Sequence, residues 1–158
     1  MRLATRLAAG LTCFANLLGA PAGAQTVHFP PVGPKPAGVP ADDRAPFSSS
    51  VLAGDTLYLG GVLDIDPATG RPGATAPEQS RLVLEALKRS LEAAGFTMDD
   101  LVWVQVFATD LSSFDSFGSA YAGYFKGPLP ARSFVEVVGL MGGAHFEVNG
   151  IAVRQSAH

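Results

Sequence analysis

A chain of 158 residues that is 47% hydrophobic and 16% charged has the length of one domain and the composition of an ordinary globular protein, which excludes a disordered or fibrous class. Its formal charge is −3 and it contains no run of Lys or Arg, so it lacks the electrostatic footprint of a nucleic-acid-binding protein. With one cysteine, Cys13, it has no means of forming an internal disulfide.

The chain opens as an exported protein does. Arg2 and Arg6 precede an apolar run from Leu7 to Leu18, and Ala22-Gly23-Ala24 places small residues where a signal peptidase needs them. Residues 1–24 therefore read as a secretory signal cleaved after Ala24, which predicts a periplasmic or secreted protein. The apolar run is too short to remain as a membrane span. Cys13 lies inside it, behind a Gly10-Leu11-Thr12 sequence that makes a poor lipoprotein cleavage site. Cleavage would remove two of the eleven basic residues and none of the acids, leaving nine against fourteen and a net charge of −5.

Residues 25–42 carry Pro30, Pro31, Pro34, Pro36 and Pro40 and read as an extended N-terminal extension that cannot form helix. The domain proper is expected over 43–158. Phe47–Ala53 and Thr56–Asp64 read as strands joined by a tight Gly54-Asp55 turn, followed by a loop of turn formers over 66–73. Thr75-Ala76-Pro77-Glu78 has the form of a capping box. Beyond it, Val83, Ala86, Leu87, Leu91 and Ala94 recur at helical spacing, with Arg81, Glu85, Lys88 and Glu92 toward water and Gly95 as the stop. Leu101–Thr109 is apolar on both faces and reads as a covered central strand. Asp99-Asp100 before it reads as a turn, and the Ser48-Ser49-Ser50 run as structural. Ser112 with Asp115 opens a second helix to about Phe125, striped by Phe114, Phe117, Tyr121 and Phe125 and weakened by Gly118 and Gly123. The order ββαβαββ implies an α+β domain with both helices on one face of the sheet.

Two closing strands carry the chemistry. Pro130-Ala131-Arg132-Ser133-Phe134-Val135-Glu136-Val137 starts one, and Phe146-Glu147-Val148-Asn149-Gly150-Ile151-Ala152-Val153 is the other. On the second, His145, Glu147 and Asn149 alternate with Phe146 and Val148, so the polar groups share a face. A guanidinium able to hold a carboxylate by two parallel hydrogen bonds, beside a carboxylate able to handle a proton, suits a small-acid site.

These two segments resemble the C-terminal signature of the RidA/YjgF family, the reactive-intermediate enamine/imine deaminases. Ala53–Gly61, Asp66-Pro67-Ala68-Thr69-Gly70, Leu91–Gly95 and Val106–Leu111 fit the same family in order and spacing, so the resemblance spans roughly residues 43–154. It implies the chorismate-mutase-like RidA fold, a mixed sheet with two helices on one face, assembled as a homotrimer around a central barrel with ligand pockets between subunits. It also implies hydrolysis of 2-imino or 2-enamino acids to 2-keto acids and ammonia, with no metal or other cofactor. By the same resemblance Arg132 anchors the substrate carboxylate and Glu147 positions water or carries the proton. Phe47, Gly60, Gly61 and Gly118 would line the pocket with Arg132. Three of these depart from the family pattern: many members have Tyr at Phe47, Ser at Gly60 and Asn at Gly118. The expected pocket is roomier and more apolar, with the Gly60 N–H left as a donor. That suits a bulkier imino acid or, alternatively, a non-catalytic small-carboxylate-binding module in the periplasm. His145 stands two residues from Glu147, where an imidazole nitrogen would reach that carboxylate. His28 in the extension and His158 at the terminus are too scattered to join it in a metal site.

Overall fold

The structure is a computed structural model that describes residues 25–31 and 46–154. The expected signal, its cleavage point, Cys13, the extension over 32–42, the expected domain start at Asp43 and His158 lie outside the described residues. Six strands and two helices follow in the order β1 (Thr26–Phe29), β2 (Ser50–Ala53), β3 (Thr56–Leu63), α1 (Ala76–Ala93), β4 (Leu101–Ala108), α2 (Phe114–Ala122), β5 (Ala131–Glu136) and β6 (Phe146–Val153). They form one mixed sheet in the order β1-β2-β3-β6-β4-β5. Every pairing is antiparallel except β4 with β5, the two strands joined by the crossover through α2, as a parallel pair requires.

The fold class is the one expected. Both helices lie on one face, over Leu57, Val104, Val106, Phe146 and Val148, all essentially without exposure. On β6 burial alternates residue by residue, so Phe146 and Val148 meet the helices while Glu147, Asn149 and Ile151 occupy the helix-free face. On β4 the helix side is sealed, but Trp103, Gln105 and Phe107 on the other side stay partly exposed. The expectation of a central strand covered on both faces is met on one face within a single copy.

Several local expectations shift. Thr26–Phe29, expected in the extension, pairs antiparallel with β2 as an edge strand, Val27 opposite Leu52 and Phe29 opposite Ser50. Its alternation of Val27 and Phe29 suits an extended pairing that the prolines alone did not reveal. The β2 strand begins at Ser50 and not at Phe47, because the Ser49 hydroxyl and N–H both donate to the Phe29 carbonyl and hold the entry. At α1 the Thr75 side chain makes no capping bond. Glu78 instead accepts from the Ala74 N–H, one residue earlier, which satisfies a donor outside the helix. α2 itself has no side-chain cap; Asp110 caps the short 3-10 turn Leu111–Ser113 that leads into it, accepting from the N–H and hydroxyl of Ser112, and these bonds, the hydroxyl first, hold its carboxyl below the usual range. Asp99 accepts the Lys126 and Gly127 N–H groups, fastening the chain after α2 to the start of β4. Those two bonds hold its carboxyl below the usual range. Gly54 and Gly95 turn the chain with φ of 61° and 75°, the left-handed region that favours glycine.

Gly150 in β6 sits where a Cβ would lie 2.8 Å from the Trp103 carbonyl oxygen. That oxygen is backbone in a central strand and has no room to retreat. Gly150→Ala is therefore expected to destabilise the fold by about 2 kcal/mol, read as a lower urea midpoint with an unchanged denaturant slope.

Candidate functional site

Arg132 enters β5 directly after Pro130-Ala131 and pairs with Val104 of β4. Paired residues share a face, so its side chain rises on the helix side, and there α2 receives it. The guanidinium carbon lies 4.8 Å from the Tyr121 ring centre, 5.4 Å from Phe114 and 5.8 Å from Phe117. These rings hold the cation by their faces without occupying its donors. No ion pair to Arg132 exists among the described residues, so the flat group is fixed while its hydrogen-bonding edge is left for an anion. The aromatic spacing at 114, 117 and 121, which reads in sequence as a core stripe, is thus also the support of the cation. Phe134 extends the cluster, with its ring 5.2 Å from Phe114 and 5.6 Å from Phe117.

Tyr121 is nearly fully buried and its hydroxyl has no hydrogen-bond partner among the described residues. Burial pushes this phenol up to about 12, against the pull of the Arg132 charge. An orphaned buried hydroxyl costs stability, so Tyr121→Phe is expected to raise stability by about 1 kcal/mol in thermal or urea unfolding. A loss of stability would mean that the hydroxyl has a partner in solution.

Glu147 is placed differently. It pairs with Phe107 on one side and Leu63 on the other, and Phe107 is three residues from Val104, so Glu147 projects from the helix-free face. Its carboxylate lies over Gly61, where any Cβ would collide with the Glu147 side chain. Gly61 makes this approach possible. Between the pairs Leu59–Gly150 and Val62–Val148, β3 has two residues where β6 has only Asn149, which is a β-bulge. The Gly60 N–H, expected to be available to a ligand, instead donates to the Ser49 carbonyl at 2.7 Å. The bulge turns that amide into the β2 entry. Asn149, next to Glu147 on this face, has a buried carbonyl oxygen with no partner among the described residues.

The remaining candidates are peripheral to both groups within one copy. Phe47 is 63% exposed ahead of β2. Gly118, in α2, has nothing within 4 Å of where its Cβ would stand, so the absence of a side chain there leaves open space beside Phe117. A single copy therefore supplies a supported guanidinium on one face and a carboxylate over a glycine bulge on the other, and does not join them.

His145 does not reach for Glu147. Its Nδ1 lies 3.5 Å from Oδ2 of Asp64, because Asp64 accepts the backbone N–H groups of His145 and Phe146 on Oδ1 and so draws the residue to the opposite face. Asp64 is fully buried, and sequence reasoning passed over it. Its signal was an acid set in the apolar run Val62-Leu63-Asp64-Ile65, where a carboxylate needs partners. His28 lies on β1, 3.1 Å from the Ser48 hydroxyl. No group of three metal-ligating side chains occurs among the described residues, and no helix there is long and apolar enough to cross a membrane.

Comparison with known proteins gives this arrangement its relatives. The family model described as Endoribonuclease L-PSP matches residues 40–154. A RutC family protein of Pyrococcus horikoshii is 36% identical over 130 residues, covering 82% of this chain and 98% of its own. A protein of Rattus norvegicus named 2-iminobutanoate/2-iminopropanoate deaminase is 34% identical over 110 residues, covering 68% of this chain and 80% of its own. Among solved structures, Escherichia coli TdcF with bound serine superposes with a TM-score of 0.67 at 32% identity, covering 72% of this chain and 91% of that one. The matched span holds every described strand but β1, both helices, and the Arg132 and Glu147 segments together, and on that basis the chain belongs to the Endoribonuclease L-PSP family, the RidA/YjgF proteins.

Proposed function

We propose that this protein is a deaminase that hydrolyses 2-imino or 2-enamino acids to 2-keto acids and ammonia. The observation that carries the reading is Arg132, a guanidinium stacked on three rings with no acidic partner among the described residues. Its free edge would take the substrate carboxylate by two parallel hydrogen bonds. That would hold C2 in one position for attack, which is catalysis by placement. Glu147 would orient a water and accept its proton as the oxygen adds to C2. The same carboxyl would return a proton to nitrogen, and the resulting amino alcohol would expel ammonia to leave the ketone. The reading has support in the relative named as a deaminase and in a family structure that holds serine, a small carboxylate.

The division of Arg132 and Glu147 between two faces supports a site built by two copies. In a homotrimer the helix-free face of one subunit, with Glu147 and the Gly60-Gly61 bulge, would be covered by its neighbour, which would contribute Arg132. Phe47 would wall this pocket, and the open space at Gly118 would admit a bulky side chain. The alternative, a non-catalytic carboxylate-binding module, is favoured by one specific feature: at Gly60 and Gly118 no side-chain polar group is offered to a ligand, and the Gly60 N–H is already engaged. The test is ammonia release from freshly generated imino acids of increasing side-chain size, with sedimentation of the same protein. Turnover by a trimer supports the deaminase. Carboxylate binding without turnover across the series would replace it by the binding module.

A further inference from the structure

Phe114, Phe117, Gly118 and Tyr121 stand at positions i, i+3, i+4 and i+7 of α2, the four corners of one patch of helix surface. Three corners carry the rings that lie against the Arg132 guanidinium. The fourth is bare. Beyond its chain neighbours and its own helix backbone, nothing lies within 4 Å of where a Gly118 Cβ would stand. The cation therefore has a notch beside it, floored by the Gly118 backbone and flanked by Phe114 and Tyr121.

Both flanks are held in place. Phe114 is 46% exposed, so part of its ring is free, and Phe134 meets that ring edge-on at 5.2 Å and 80°. Tyr121 is almost without exposure and stacks on Phe117 at 5.8 Å and 25°. Positions 114 and 121 are about 10.5 Å apart along the helix axis at about 1.5 Å per residue. A third ring midway between them would stand about 5 Å from each, within the range of about 4.5–7 Å that aromatic pairs prefer.

We propose, on the basis of the deaminase reading above, that this notch is the subsite for the substrate side chain, and that the substrate is a 2-imino acid carrying an aromatic ring on C3. The carboxylate on Arg132 sets the reach. Three carbon–carbon bonds of about 1.5 Å join the carboxylate carbon to such a ring, which keeps the ring within about one helical turn of the anchor. A methyl or ethyl side chain stops short of the flanking rings and leaves the notch to water. A saturated ring fills it but offers no face or edge to match those of Phe114 and Tyr121. Gly118 is then the residue that sets specificity, because any larger side chain there occupies the space of the ring.

The experiment begins with calorimetric titration of the full chain by 3-phenylpropanoate, 3-cyclohexylpropanoate and butanoate, which share a carboxylate and need no turnover. The phenyl compound is expected to bind tightest, about tenfold or more ahead of butanoate. Gly118→Leu fills the notch without striking a neighbour in the same copy and is expected to erase that lead. If it changes the oligomeric state in sedimentation, Phe114→Leu takes its place, removing one flanking ring with the same expected result. Freshly generated 2-imino-3-phenylpropanoate and 2-iminopropanoate are then compared as a ratio of kcat/KM. The ratio is expected to favour the phenyl substrate in the parent and to fall about tenfold in the variant. Cyclohexyl or butyl binding as tight as phenyl, or a phenyl lead that survives both substitutions, would overturn the proposal. Ammonia release with no phenyl preference would do so too, while leaving the deaminase reading intact. Phenyl-selective binding with no turnover of either imine would remove the deaminase reading and keep the aryl subsite.

Discussion

Arg132→Ala is expected to lower kcat/KM for imino-acid hydrolysis by at least a hundredfold while the protein stays folded. Two charge-assisted hydrogen bonds to a carboxylate are worth about 3–6 kcal/mol together, and the same bonds hold C2 in place for the attacking water. The loss of stability should be small. Arg132 joins no ion pair among the described residues, and removing it forfeits only its stacking on Phe114, Phe117 and Tyr121, about 1 kcal/mol for a half-buried cation. Arg132→Lys should fall between parent and Ala, since an ammonium keeps the charge but not the planar fork. Ammonia release and the melting temperature, measured on the three proteins together, check this. An Ala variant that turns over as fast as the parent would remove Arg132 from the mechanism.

Phe117→Ala should behave in the opposite way, failing first in stability. Phe117 has no exposed surface, and its ring lies 5.1 Å from Phe146, 5.6 Å from Phe134 and 5.8 Å from Tyr121. Truncation removes the joint between α2 and the strands beneath it and leaves a cavity, at a cost of about 3–5 kcal/mol. Urea unfolding measures it directly. Phe117→Leu should recover much of the loss, because it refills most of the volume. In the temperature range where Phe117→Ala remains folded, kcat/KM should also drop, because one of the three rings beneath the guanidinium has gone. A stability loss below about 1 kcal/mol would show that α2 is held by something other than this packing.

Much of the molecule was legible in the chain. The helical stripe of Val83, Leu87 and Leu91, the Gly95 stop, the period-two strands and the Arg132 and Glu147 segments are local patterns. Secondary structure forms where neighbouring residues agree, and such agreement is written in sequence. The family follows from the same residues, because the signature strands carry both the fold and the candidate chemistry. The place of Thr26–Phe29 was not legible: its proline-rich surroundings describe what the segment cannot do, and only the open edge of β2 decides what it does.

What tertiary structure alone decided is which groups meet. Arg132 and Glu147 look like neighbours among the polar residues of the closing strands, but strand pairing puts one beside Val104 and the other beside Phe107, three residues apart and so on opposite faces. His145 and Glu147 alternate onto one face by period, but a carboxylate 81 residues away, Asp64, binds the His145 N–H and takes the ring. The Gly60 amide looks free until the bulge brings Ser49 to it. In each case a local pattern fixes how a residue is held within its own strand. The partner comes from register between strands distant in sequence, and a shift of one residue reverses every side chain's face.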